Sequence, residues 1–72
     1  MKCKTTSDSK HTRGKELSGY IVGSHSDPLG KTVYQIALDG ERDGEAVYLD
    51  GVRYPRLVFR NAKRVEYPKQ NT

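Results

Sequence analysis

Ala46-Val47-Tyr48-Leu49-Asp50-Gly51-Val52-Arg53-Tyr54 carries the least ambiguous structural signal in the chain. Two β-forming runs flank Asp50-Gly51, a pair suited to a two-residue type I′ loop in which both central residues take positive φ. Such a turn fixes register. Leu49 is expected opposite Val52, Tyr48 opposite Arg53 and Val47 opposite Tyr54. Val47, Leu49, Val52 and Tyr54 then share one apolar face, because side chains alternate along a strand. Pro55 has no N–H to give to a ladder, so it ends the second strand or holds it at a sheet edge.

The flanking segments extend the pattern. Upstream, Thr32 to Leu38 alternates, with Tyr34, Ile36 and Leu38 on one side and Val33, Gln35 and Ala37 on the other. Leu17 to Gly23 (LSGYIVG) has β composition, and its glycines at 19 and 23 signal a bulge or sharp bend. Asp27, Pro28 and Gly30 match a type I turn between these two strands. Asp39 to Gly44 (DGERDG) reads as an acidic turn. Downstream, Leu57, Val58, Asn61, Ala62 and Val65 fit helical spacing, whereas LVF and RVEY have strand composition. The favoured reading is short strands around a helical turn within residues 56–63. The chain is therefore expected to be mostly β, with about five short strands closed into a small barrel or a strongly twisted antiparallel sheet.

Organisation follows from composition. Residues 1–15 contain no Leu, Ile, Val or aromatic side chain. Such a segment buries too little surface to offset its ordering entropy, which predicts a disordered basic tail. Residues 16–67 form the expected β domain, and residues 68–72 a short disordered tail. A 72-residue chain that is 33% apolar has room for one small core. No apolar run approaches the ~18 residues of a membrane span, and no apolar leader opens the chain. A cytoplasmic protein without a membrane segment is expected. Cys3, alone between Lys2 and Lys4, cannot form an intramolecular disulfide. It reads as an exposed tail thiol, or as a reactive one activated by its lysine neighbours.

Catalytic patterns fail on spacing. His11 and His25 have no Cys, Asp or His at metal-ligand spacing, so no metal site is expected. Ser24, His25 and Asp27 are sequence neighbours, whereas a catalytic triad converges from separated segments. Gly30-Lys31-Thr32 lacks the upstream glycine of a phosphate-binding loop and leads into a strand. The alternating acids of DGERDGE are too short for a calcium loop. The expectation is a non-enzymatic binding protein without cofactor or small-molecule substrate.

The formal net charge of +4 is unevenly distributed. Lys2, Lys4, Lys10, Arg13 and Lys15 face only Asp8 in the first fifteen residues. Residues 39–50 hold five acids against Arg42, while residues 51–64 hold Arg53, Arg56, Arg60, Lys63 and Arg64 with no acid. Arginine offers planar bidentate donors and stacks on aromatic faces. These side chains read either as partners of the acidic turn across the sheet or as a basic interaction edge. Phe59, between Val58 and Arg60, reads either as core or as an interface anchor set among arginines. The binding reading assigns partner contact to Arg53, Arg56, Val58, Phe59, Arg60, Lys63 and Arg64, and nucleic-acid contact to Lys10, Arg13 and Lys15. Tyr20, Tyr34, Tyr48 and Tyr54 are candidate stacking platforms for single strands, although Tyr34 and Tyr54 fall on the expected core faces.

Gly19-Tyr20-Ile21-Val22-Gly23, Val33 to Gly40 (VYQIALDG) and Val65-Glu66-Tyr67 resemble an SH3-like small barrel of the KOW or Tudor kind. The resemblance spans about two-thirds of the chain, and the glycine-and-basic pattern of the first KOW loop is only partly present. In size and style the chain is also similar to small bacteriophage regulators of host RNA polymerase. These resemblances imply regulation of transcription by docking on RNA polymerase or another protein near RNA or DNA. The alternative is direct binding of RNA or single-stranded nucleic acid by the same arginines and exposed tyrosines.

Overall fold

A computed structural model describes residues 1–66. Its elements are β1 (Lys2–Thr6), β2 (Glu16–Ser26), β3 (Thr32–Leu38), β4 (Glu41–Asp43), β5 (Ala46–Leu49), β6 (Val52–Pro55), β7 (Leu57–Asn61) and a 3-10 turn, η1 (Ala62–Arg64). They form two antiparallel sheets, one ordered β1-β2-β3-β7 and the other β4-β5-β6. The mostly β, antiparallel expectation holds, with the sheets not closed into a barrel. The expected tail at 68–72 and the closing Tyr67 lie outside the described residues.

The β5–β6 hairpin has the register read from its turn. Leu49 pairs with Val52, Tyr48 with Arg53 and Val47 with Tyr54. Asp50 and Gly51 take φ of 52° and 79°, as a type I′ loop requires. The bulge implied by the β2 glycines falls between Ile21 and Gly23. Gly19 is fixed by space as well: a Cβ there would stand 2.5 Å from the Ala37 carbonyl oxygen. The Asp27 turn closes by the Gly30 N–H donating to the Asp27 carbonyl, while the Asp27 carboxylate accepts from the N–H groups of Leu29 and Lys31. Of the range 56–63 expected to hold a helical turn, Leu57–Asn61 is strand, and the turn is η1 at its end, Ala62–Arg64, with Asn61 capping it by accepting from the Lys63 N–H.

The core lies between the two sheets. Ile21, Tyr34, Ile36, Leu38 and Val58 of the larger sheet pack with Val47, Leu49, Val52 and Tyr54 of the smaller one. Leu17, Cys3 and Val65 complete it.

Two expectations require correction. Residues 39–44 contain a short strand, β4, that pairs with β5. More consequentially, the first fifteen residues form a strand and a bonded connection. Lys-Cys-Lys-Thr-Thr alternates in period two, so Lys2 and Lys4 face solvent while Cys3 and Thr5 turn inward and are buried. The β1 backbone is satisfied on one side by β2 and on the other by a bridge between Lys4 and Glu66. The Thr5 hydroxyl donates to the Arg64 carbonyl at 2.8 Å. In the connection, the Ser7 N–H donates to the Lys15 carbonyl and the Gly14 N–H to the Ser7 carbonyl. The Tyr54 hydroxyl reaches over to donate to Thr12 Oγ1 at 2.7 Å. Polar and main-chain bonds order this segment, which a count of large apolar residues does not register. Cys3 is accordingly a core residue. It is not the exposed tail thiol expected, and burial pushes its thiol pKa up, against the alternative of activation by Lys2 and Lys4.

Candidate docking surface around Phe59

β6 and β7 are one bent strand shared between the sheets. At the bend, the Arg56 N–H donates to the Glu45 carbonyl and the Arg56 carbonyl accepts from the Leu38 N–H, both at 2.9 Å. Val52, Tyr54, Arg56, Val58 and Arg60 therefore turn their main-chain groups first toward β5 and then toward β3. A strand that switches sheets at a bend forms the corner of such two-sheet folds. β6 and β7 each stand last in their sheet, so no strand among the described residues pairs with the opposite edge of this run.

Alternation along β7 separates the predicted contact residues. Val58 and Arg60 turn inward and are buried, whereas Phe59 turns outward and is 55% exposed. The core reading of Phe59 does not hold. Its cross-strand neighbour is Gln35, and its ring meets His25 edge-on with centroids 6.0 Å apart. Tyr20 is exposed on the same outer face of the four-stranded sheet, and Val22 is exposed at the β2 bulge. Leu57 is half-buried beside Ala37 there.

The arginines divide into two groups. Arg60 and Arg64 are engaged within the fold. Arg60 donates from Nε to the Thr6 carbonyl and from Nη1 to the Phe59 carbonyl, and its Nη2 lies 3.7 Å from Asp8. Arg64 holds the Asp8 carboxylate and donates to Thr6 Oγ1. Burial lowers the Arg60 pKa, while the hydrogen bond to Asp8 raises that of the more exposed Arg64. That same bond holds the Asp8 carboxyl below its ordinary range. The acidic turn is therefore not the main partner of the arginine stretch. Arg53, Arg56 and Lys63 form the other group: none has a side-chain hydrogen bond or ion pair among the described residues.

Of the residues assigned to nucleic-acid contact, Lys15 is bound to Asp50, and that hydrogen bond raises its pKa while lowering that of Asp50. Lys10 and Arg13 are exposed in the β1–β2 connection.

An open groove of about 500 Å³ gathers much of this surface. Arg53, Tyr54, Pro55, Leu57, Phe59 and Arg60 line one side, and Ser7, Asp8 and Ser9 the other. It thus joins four of the predicted residues, Arg53, Val58, Phe59 and Arg60, and leaves Arg56, Lys63 and Arg64 outside its lining. The Ser7–Ser9 wall was not visible as part of a site in the sequence, since residues 1–15 read as tail. Its one local signal was Asp8, the lone acid in a basic segment.

No group of three or more His, Cys, Asp or Glu able to hold a metal occurs among the described residues. No helix among them is long and apolar enough to cross a membrane. No family model matches the chain, and no curated protein or solved structure matches it either.

Proposed function

We propose that this chain is a non-enzymatic docking module of the SH3-like kind, which regulates transcription by seating Phe59, Arg53 and Arg56 on RNA polymerase close to nucleic acid. The observation that carries the docking reading is Phe59. The chain has a single Phe and a small core, yet that residue stands 55% exposed on a sheet face instead of contributing to the interior. An aromatic anchor with arginines beside it is the composition of an interface centre. Arg53, Arg56 and Lys63 supply charge that no partner among the described residues neutralises. The choice of RNA polymerase rests on the chain's likeness in size and basic character to small bacteriophage regulators.

A second reading has its own observation. Tyr20, His25 and Phe59 share one open sheet face, with Lys2 paired beside Tyr20 at its margin. Aromatic side chains on an open sheet, flanked by cations, suit the stacking of single-stranded bases. Affinity capture from bacterial lysate separates the two. RNA polymerase subunits retained after nuclease treatment and at moderate salt support docking. Binding to naked oligonucleotide that collapses steeply with salt supports the second reading. Retention of neither overturns both.

A further inference from the structure

We propose that the free edge of the bent β6–β7 strand binds an extended, acidic segment of a partner protein by strand addition, a mode that deepens the docking reading and rests on it. Arg53, Leu57 and Phe59 lie out of phase with the residues that bond β5 and β3. Their N–H groups therefore point away from both sheets, into the edge left open at the end of each. The groove of about 500 Å³ runs along this edge, so the edge has space beside it.

Main-chain chemistry selects the class of occupant. An edge of alternating N–H and C=O groups is matched by another polypeptide in extended form, which supplies both in the same alternation. A nucleic-acid backbone offers phosphate acceptors without that pattern of donors. Charge selects within the class. Arg53 lines the groove and Arg56 stands at the bend of the strand, neither with an ion partner among the described residues, while the groove's one carboxylate, Asp8, is already held by Arg64 and Arg60. An incoming strand with aspartate or glutamate complements that excess.

The edge also has features that limit indiscriminate pairing. Pro55 contributes no N–H, and the Phe59 carbonyl accepts from the Arg60 guanidinium at 2.8 Å. Pairing is thereby concentrated on the N–H and carbonyl of Leu57 and the N–H of Phe59. Leu57 and Phe59 side chains flank those groups on the outer face and present apolar contact to the added strand.

The test is selection of short randomised peptides displayed against the full chain, followed by amide exchange and affinity measurements on the enriched peptides. Enriched sequences are expected to place aspartate or glutamate in alternation with β-branched residues. They should slow amide exchange at Leu57 and Phe59, and lose about tenfold or more in affinity when N-methylated at alternate residues. No enrichment, enrichment of basic peptides, affinity indifferent to N-methylation at every position, or protection that leaves Leu57 and Phe59 unchanged overturns strand addition. Dimerisation of the chain through this edge does so as well. If RNA polymerase is still captured through Phe59 in those cases, docking stands and strand addition alone falls.

Discussion

Arg64 grips both carboxylate oxygens of Asp8, from Nη2 to Oδ1 at 2.7 Å and from Nη1 to Oδ2 at 3.1 Å, across 56 positions of sequence. This contact ties the β1–β2 connection to η1, and buried Arg60 lies beside the same carboxylate. Asp8→Ala should lower the midpoint of thermal unfolding, because it leaves Arg60 buried without its counter-charge. Glu16→Ala removes only the exposed Lys4–Glu16 pair at 3.3 Å and should change the midpoint little. Melting curves of the two variants, followed by circular dichroism, make the comparison; equal effects would contradict the role given to Asp8.

The same pair sets a pH dependence. The folded-state pKa of Asp8 is depressed by Arg64, and that of Asp50 by Lys15. A depressed carboxylate stabilises the fold above its unfolded-state pKa, and that contribution is lost as pH falls through its folded-state value. Stability should therefore decline in the acid range below the ordinary carboxylate pKa. Asp8→Asn should flatten that decline when denaturant midpoints are measured against pH.

The first fifteen residues are expected to be indispensable to the fold. Deleting them removes Cys3, uncovers Leu17 and Val65, and leaves Arg60 and Arg64 without Asp8. The truncated chain should lose its cooperative thermal transition. A truncated chain that still melts cooperatively near the full-length midpoint would show that β1 is dispensable. In the intact chain the Cys3 thiol, buried and with a raised pKa, should react slowly with a thiol reagent until denaturant is added.

Core and surface apolar residues should respond differently. Ile36 is wholly buried, and Ile36→Ala should cost about 2–5 kcal/mol. Val22 is 57% exposed at the β2 bulge, and Val22→Ala should stay within about 0.5 kcal/mol. Gly51→Val forces a β-branched residue to φ near 79° and should cost about 1–3 kcal/mol. Chemical denaturation measures all three; an unchanged Gly51→Val would place the hairpin strain elsewhere.

What the sequence reveals of this fold follows the range of each interaction. The β5–β6 register, the Asp27 turn, the β2 bulge and η1 depend on residues within a few positions of one another. Turn chemistry and alternation are sufficient to find them. β1 depends on partners at distance: Lys4 meets Glu66, Thr5 meets Arg64 and Asp8 meets Arg64. Its inward residues, Cys3 and Thr5, are small or polar and escape a search for large apolar side chains. The period-two alternation of Lys2-Cys3-Lys4-Thr5 was its only local trace. The site was partly legible for the same reason. A run of arginines around Phe59 is visible in sequence. Which of them turn inward is set by β7 pairing with β3, and which are neutralised is set by a carboxylate at the other end of the chain.

Phe59→Ala tests the central claim most directly when stability and partner retention are measured on the same variant. Docking through an exposed Phe59 predicts a loss of stability below about 1 kcal/mol together with loss of RNA polymerase retention by about tenfold or more. A loss of about 3–5 kcal/mol with retention unchanged would make Phe59 a core residue and contradict the account.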